Sequence, residues 1–441
     1  MTGINLSRAL RLDKTSHPVV SFTGAGGKTT ALFQLAREMS ARKAVLVTAT
    51  THLGVWQIPL ANRHIIASRP SETQIPKEGV VLVTGKIENE RTQPVNNATL
   101  NWLHVESKKQ NIPLLIEADG SRQKPLKAPA AHEPPIPEFS DLVVHIAGLS
   151  ALSKPLTDEH VHRAEIFSKL SGLPLGSPVT TKSMIKVLTH PQGGLKNIPP
   201  QARRIALINQ ADTPELQSIG SEMVYELLNY FDAFLVGSLQ NSTLQTFEPC
   251  AGIILAAGES TRFGSPKQLL DWKGKPFVRQ VAETALQAGL WPVVVVTGYR
   301  AADIESALNG LPVTIAYNPD YQQGQGTSIR AGVASLSGKV GAAVFLLADQ
   351  PQIPVEVIRA LVESHGRDMQ TILAPLVLEE RRANPVLFDR DTFPDLLQLK
   401  GDVGGRAIFD KHRVEYLPWH DDILLLDVDN PQDYDRLKEL E

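Results

Sequence analysis

Val19-Val-Ser-Phe22-Thr23-Gly24-Ala-Gly26-Gly27-Lys28-Thr29-Thr30 opens the chain's first patterned segment, and Ala251-Gly-Ile-Ile-Leu255-Ala-Ala257-Gly258-Glu-Ser260-Thr-Arg262-Phe263-Gly264-Ser-Pro-Lys267 opens a second. Each is an apolar strand-length run, then a glycine-rich turn with a lysine, then a segment with helical periodicity. That order is the strand–loop–helix unit of α/β folds, in which the loop sits at the carboxyl end of a parallel strand. Two such openings in one chain imply two sheets.

Working outward, further strands are predicted at 43–50, 79–85, 112–119, 141–148 and 204–209, and then at 291–298, 313–318, 341–349 and 371–377. Amphipathic segments such as FVRQVAETALQAG separate them. At roughly 150 residues per domain, 441 residues suggest two or three units. The polar, turn-rich stretch SLQNSTLQTFEPC (238–250) precedes the second opening. The predicted organisation is therefore α/β in two tandem domains, 1–238 and 251–441, joined by a linker at 239–250. The first is P-loop-like and the second Rossmann-like.

Composition excludes several classes. Hydrophobic residues make up 42% and charged residues 21%, the balance of a globular protein. The longest apolar runs fall far short of the roughly 20 residues of a spanning helix, so no membrane partner is expected. The opening MTGINLSRALRLDK lacks the pattern of a secretory signal, and Cys250 is the only cysteine, so a cytoplasmic location is expected and internal disulfides are excluded. Cys250 reads as inert packing. The net charge of −3 has no basic stripe, which argues against nucleic acid as a partner.

The second opening reads as a triphosphate loop. Gly258 and Gly264 let the backbone approach phosphate oxygens, Ala257 and Ser260 belong to the same turn, and Arg262 and Lys267 supply positive charge. The strand ending Leu346-Leu-Ala-Asp349-Gln-Pro351 puts a carboxylate at the sheet's carboxyl edge, suited to Mg2+. A second carboxylate is Asp429, with Asp427 as the alternative. Gly324-Gln-Gly326-Thr-Ser328 offers small residues for a base or ribose; Asn384-Pro-Val and Gly401-Asp402-Val-Gly-Gly-Arg406 suit a phosphorylated acceptor. Each of these three segments also reads as a structural turn when taken alone.

Together these segments resemble the MobA-like nucleotidyltransferases across essentially all of 251–441, and most closely the molybdenum cofactor cytidylyltransferase branch. The resemblance implies a GT-A-like mixed sheet. It implies triphosphate binding by Gly258, Ser260, Arg262, Gly264 and Lys267, and catalysis by Arg262, Lys267 and Asp349. Gly326 and Ser328 join the nucleotide side, Asn384, Asp402 and Arg406 the acceptor side, and Asp349 with Asp429 the metal. LAAG at 255–258 is similar to the cytidylyl branch, so CTP is expected before GTP; Phe263 replaces a common methionine. The implied acceptor is a molybdopterin-type small molecule. Two alternatives stay open: another phosphorylated acceptor, or a carrier of the cofactor that performs no chemistry.

The first opening reads as a phosphate-binding loop, with amides of Gly24, Gly26 and Gly27 around the anion, Lys28 neutralising it and Thr29 reaching Mg2+. The full Walker spacing needs glycine where Phe22 stands, so a glycine-rich turn for another anion remains an alternative. Leu114-Leu-Ile-Glu117-Ala-Asp119 ends a strand in acids, and Asp119 is the metal candidate. Asn209-Gln210-Ala-Asp212 is similar to a GTPase base-reading element, but glutamine replaces its lysine. ATP or GTP is the expected ligand. His132, His160 and His162 lack a diagnostic metal spacing.

Residues 1 to about 237 resemble the YqeC family, described as accessory to selenium-dependent molybdenum hydroxylases, through FTGAGGKTT, TATTH (48–52), EADGSRQKPLKAP (117–129), HEPPIP (132–137) and VHRAEIF (161–167). The resemblance implies a nucleotide-binding maturation role with Lys28, Thr29, Asp119 and His52 as its residues. A molybdenum hydroxylase apoenzyme is the implied partner.

Overall fold

Val19–Gly24 (β1) is buried at every residue, and a strand buried on both faces belongs inside a sheet covered on both sides. The structure is a computed structural model describing residues 4–41, 43–67, 69, 74–260 and 263–440. It divides into two units, Met1–Phe247 and Glu248–Glu441. In the first, β1 is followed by Ala44–Ala49 (β2), Arg63–Ile66 (β3), Gly79–Thr84 (β4), Leu114–Glu117 (β5), Leu142–Gly148 (β6), Arg203–Asn209 (β7), Ala233–Ser238 (β8) and Thr243–Phe247 (β9). They form a nine-stranded sheet ordered β9-β8-β7-β6-β1-β5-β2-β4-β3. Only β9 runs antiparallel to its neighbour.

β1 sits between β6 and β5, where the strand order turns back on itself. The crevice beyond its carboxyl end is the position at which such sheets bind ligands. Helix α1, Lys28–Met39, leaves from Gly27 directly into that crevice.

Residues 239–250, expected as a linker, are ordered. Thr243–Phe247 pairs along β8, with Leu244 and Thr246 buried between more exposed neighbours, and Cys250 already belongs to the second sheet. An edge strand shows one side to solvent, and its alternating polar residues give the stretch its linker-like composition. β3, the opposite edge, is half-exposed for the same reason and likewise lacks an apolar run.

The second unit continues with Cys250–Leu255 (β10), Val293–Thr297 (β11), Thr314–Tyr317 (β12), Ala342–Leu347 (β13), Ile372–Val377 (β14), Val386–Asp389 (β15) and Val414–Trp419 (β16). Its eight-stranded sheet runs β12-β11-β10-β13-β15-β14, with β16 and Arg381–Arg382 also pairing to β14. β15 is antiparallel to both neighbours, so the sheet is mixed. The continuous apolar runs are explained by two cores: Val293 and Val295, with Ala342, Val344 and Leu346, face one, and Val294 and Val296, with Ala343 and Phe345, face the other. Cys250 lies in the first core, where burial pushes its thiol up to about 12, as inert packing requires. Among the described residues no helix is long and apolar enough to cross a membrane.

Candidate functional site

In the C-terminal unit β10 and β13 lie side by side and in parallel. Their ends therefore place the 255–260 turn next to Asp349. Between them opens a cavity of about 640 Å³. Ala257, Gly258, Ser260, Lys267, Ser328, Asp349, Asp402 and Asp429 line it. The Lys267 ammonium is 2.9 Å from Asp349 Oδ2 and 3.1 Å from Asp429 Oδ1. Burial alone would lower this lysine; the Asp349 and Asp429 carboxylates outweigh that and hold it above its usual range.

The turn is shaped by its own side chains. Ser260 Oγ accepts from the Lys267 amide at 3.2 Å, and Gln268 Nε2 donates to the Gly258 carbonyl at 2.9 Å. On the opposite wall, Gly324 has φ +110, and a Cβ there would lie 2.4 Å from the Asp402 amide nitrogen, so no larger residue fits. The Gln325 amide donates to Asp402 Oδ1 at 3.3 Å, which ties the 401–406 segment to the helix beginning at Gln325. Asn318 holds Ser328 through Nδ2 at 3.0 Å.

Not every expected residue reaches the cavity. Gly326 donates its amide to the Gly401 carbonyl at 3.1 Å and serves as packing. Gly264, Asn384 and Arg406 lie outside the cavity wall. Arg262 lies outside the described residues. The sequence left Asp429 and Asp427 undecided, and their surroundings differ. Asp427 accepts from Gln350 Nε2 at 2.6 Å, and burial, with the Asp349 and Asp429 charges, raises its carboxyl despite that bond. Asp429 faces Lys267. Gln350 and Gln352, which donates to the Leu426 carbonyl at 2.6 Å, pin this segment to the end of β13. Neither glutamine stood out in the sequence. Tyr321 and Gln325 also line the wall without any sequence signal beyond their loop.

In the N-terminal unit the glycine loop is packed against the sheet. At Gly24, φ +88, a Cβ would lie 2.1 Å from the Ile146 carbonyl oxygen, which only glycine tolerates. Lys28 turns back inside the loop, donating to the Gly24 carbonyl at 2.6 Å, with its ammonium 3.2 Å from Asp119 Oδ1. Asp119 also meets Lys127 at 2.9 Å and the Gly24 amide at 3.1 Å. Lys127 passes on to Glu133, which Arg163 grips through both oxygens at 2.6 and 2.9 Å. Burial opposes ionisation of Glu133, but Arg163 and Lys127 prevail and hold its carboxyl at about 2.

Thr29 donates to Glu117 Oε2 at 3.1 Å. The carboxylate beside the Thr29 hydroxyl is thus Glu117, and Asp119 is enclosed by two lysines. Burial raises the Glu117 carboxyl, with the neighbouring Asp119 adding and Lys28, Thr29 and Lys127 opposing. Asn209 donates to the Gly26 carbonyl at 2.7 Å and accepts from the Leu239 amide at 3.0 Å, so it fixes the loop.

Gly26, Gly27, Lys28, Thr29, His52 and Glu117 line a cavity of about 460 Å³; Gly24 and Asp119 stand behind it. Trp56 on a short 3-10 helix, Arg91 on a two-residue strand and Arg122 on a turn complete its wall from segments far apart in sequence, with no periodic signal to announce them. Among the described residues no group of three or more His, Cys, Asp or Glu is placed to hold a metal. His162 pairs with Lys127 across two short strands, and burial, reinforced by Arg163, Lys127 and Arg122, pushes its imidazole down to about 4.

Comparison with known proteins follows the division of the chain. The YqeC protein family matches residues 20–165, and the MobA-like NTP transferase domain matches residues 252–416. The YqeC protein of Escherichia coli (strain K12) is 31% identical over 239 residues, covering 50% of this chain and 88% of that protein. Nicotine blue oxidoreductase of Paenarthrobacter nicotinovorans is 33% identical over 202 residues, covering 44% of this chain and 95% of that enzyme. The crystal structure of Rv0371c from Mycobacterium tuberculosis H37Rv matches 43% of this chain and 98% of its own, at 27% identity and a TM-score of 0.39. By the family models and the sequence relatives, the chain belongs to the YqeC family through its N-terminal unit and to the MobA-like NTP transferases through its C-terminal unit.

Proposed function

We propose that the C-terminal unit is a Mg2+-dependent cytidylyltransferase that moves CMP from CTP onto the terminal phosphate of a molybdopterin-type cofactor. The observation that carries this reading is the convergence of Lys267, Asp349 and Asp429 at the end of β13, facing the 255–260 turn across one cavity. An acceptor phosphate oxygen attacks the α-phosphorus, the bond to the β-phosphate oxygen breaks, and pyrophosphate leaves. Charge accumulates on the leaving group, and fixed cations in a closed cleft stabilise it at little reorganisation cost.

Lys267 is suited to that task, and its carboxylate partners keep it charged and oriented. The donor set fits Mg2+, a hard ion commonly held by one or two carboxylates together with substrate phosphates rather than by an all-protein cage. Asp349 and Asp429 would hold it, and bound there it would neutralise phosphate charge. The preference for CTP rests on Leu255-Ala-Ala-Gly258 and its likeness to the cytidylyl branch.

For the N-terminal unit we propose nucleotide binding, ATP or GTP, in the glycine loop, in the service of maturing a molybdenum hydroxylase. Thr29 and Glu117 are the oxygen donors suited to its Mg2+.

The test is pyrophosphate release by the intact protein with Mg2+, molybdenum cofactor and either CTP or GTP, with Asp349→Ala as control. CTP-dependent release that the variant loses is the expected result. Release with GTP alone would overturn the base assignment. No release with either nucleotide would move the reading to another phosphorylated acceptor, or to a carrier whose cofactor delivery survives Asp349→Ala.

A further inference from the structure

The N-terminal cavity has a second wall that phosphate binding by the glycine loop leaves unused. Two tight turns form it. Ile87–Glu88 and Arg91–Thr92 pair as a hairpin across Asn89 and Glu90, whose φ values are 48° and 59°. Ser121 and Lys124 close the other, the Lys124 amide donating to the Ser121 carbonyl at 3.0 Å across Arg122 and Gln123, at 49° and 60°. Turns with positive φ at both central positions favour Asn-Gly, and a side chain such as glutamate, arginine or glutamine is strained there. Strain of this kind persists where the surroundings impose it, and it gathers at ligand clamps.

Each turn delivers a guanidinium to the cavity, Arg91 and Arg122. Both are exposed, and among the described residues neither side chain is ion-paired or hydrogen-bonded. Lys28, by contrast, is already engaged by Asp119 and Gly24. Trp56, 55% exposed, lines the same cavity. Its indole lies against Gly54, where a Cβ would come within 2.3 Å of Nε1, so the ring is seated on backbone and still open to solvent. Gln57, only 7% exposed, also lines the cavity, and its Oε1 has no hydrogen-bond partner among the described residues.

We propose that this wall is a second ligand site, adjoining the glycine loop, for a phosphorylated heterocycle: a flat unsaturated ring carrying an N–H donor. The two guanidinium groups match a phosphate, which arginine grips in a planar, charge-assisted fork. Trp56 offers the ring a stacking face, and Gln57 Oε1, buried without a partner, accepts from the ring N–H once its side chain turns toward the cavity. The site rests on the nucleotide reading of this unit only for what occupies the neighbouring loop.

The test uses the intact protein and flavin mononucleotide as probe, a phosphorylated flat ring with an imide N–H whose fluorescence falls on stacking against tryptophan. Riboflavin is the control without phosphate, and Mg-ATP and Mg-GTP binding is measured in parallel. Wild type is expected to bind flavin mononucleotide about tenfold more tightly than riboflavin, and Arg91→Ala/Arg122→Ala to erase that preference. Trp56→Ala is expected to remove the quenching. Equal binding of the two flavins, or a double variant that binds flavin mononucleotide like wild type, would overturn the site. So would a double variant that loses nucleotide affinity in equal measure, since the guanidinium groups would then belong to the nucleotide's own phosphates. If neither ATP nor GTP binds while the arginine-dependent flavin binding persists, the nucleotide reading fails and the second site stands.

Discussion

The two units use the same parts in opposite ways. Each has a glycine-rich turn after a central parallel strand, a lysine at the turn and an aspartate from a neighbouring strand end. In the N-terminal unit the pair is sealed: the side chains of Lys28 and Asp119 are 3% and 2% exposed, and Lys127, equally buried, links them to Glu133. In the C-terminal unit the pair lines an open cavity, with Lys267 at 12% and Asp349 at 31%. A buried ion pair holds the fold because removing one partner strands the other, whereas an exposed pair contributes about 0–1 kcal/mol. Charge in the first site is thus structural before it is functional, and charge in the second is available for chemistry.

The largest effect that tests this contrast is on turnover. Lys267→Ala or Asp349→Ala is expected to lower pyrophosphate release by about 10²–10³, the usual loss when a preorganised charge is removed from a transition state. Thermal stability should hardly change. A Lys267→Ala protein that unfolds early in a thermal scan would erase the distinction between the two units.

The reverse is expected of Asp119→Asn. Lys28 and Lys127 would face each other without their shared counter-charge, at a cost of about 3–5 kcal/mol. Denaturant unfolding, followed by amide hydrogen exchange in residues 19–30, reads this directly. Stability unchanged in that variant would mean that the network is solvated and the site is open.

A third effect is pH-dependent and also confined to the N-terminal unit. His145, whose Nδ1 lies 2.9 Å from Thr23 Oγ1 behind the loop, is pushed down to about 4 by burial, with Lys127 and Lys28 adding and Asp119 opposing. An unfolded histidine titrates near 6.5, so between those values the unfolded state binds the extra proton. Stability is fully present above about pH 6.5, falls as pH drops toward 4, and changes no further from this group below that; the total is roughly 3 kcal/mol. His145→Gln should flatten this slope. Glu133 then takes over, its contribution being lost as pH falls from about 4.5 to 2.

The contrast also marks how far the sequence could be read. Long apolar runs placed β1, β6, β10 and β13, because strands buried on both faces have little freedom of composition. β3 and β9 escaped, since an edge strand alternates with polar residues; β8, β15 and β16 escaped as well, although β8 and β15 are buried throughout, because their short runs stand out less from the flanking sequence. Glu117 and Asp119 were legible as strand-end acids, but two residues of separation cannot tell which meets Thr29; Lys127, from a different segment, decides it by claiming Asp119. Asn209 looked like a base reader because its motif is defined by residue types, while its role as a brace for Gly26 depends on the third dimension. Trp56, Arg91 and Arg122 come from three separate segments, a short 3-10 helix, a hairpin strand and a turn, and share no common pattern.

The smallest expected effect separates two carboxylates that the sequence left as alternatives. Asp427→Asn keeps an oxygen to accept from Gln350 Nε2 and removes a charge that burial and the nearby Asp349 and Asp429 already disfavour. The substitution should leave stability within about 0.5 kcal/mol and turnover within about threefold of wild type. Asp429→Asn removes a charge that pairs directly with Lys267 at 3.1 Å on the cavity wall, so its loss should show in the Mg2+ dependence of turnover. Titrating Mg2+ against turnover in both variants settles the order. If Asp427→Asn matched Asp349→Ala, the metal would belong to Asp427, and Gln350 would be its orienting partner rather than a clamp on the segment.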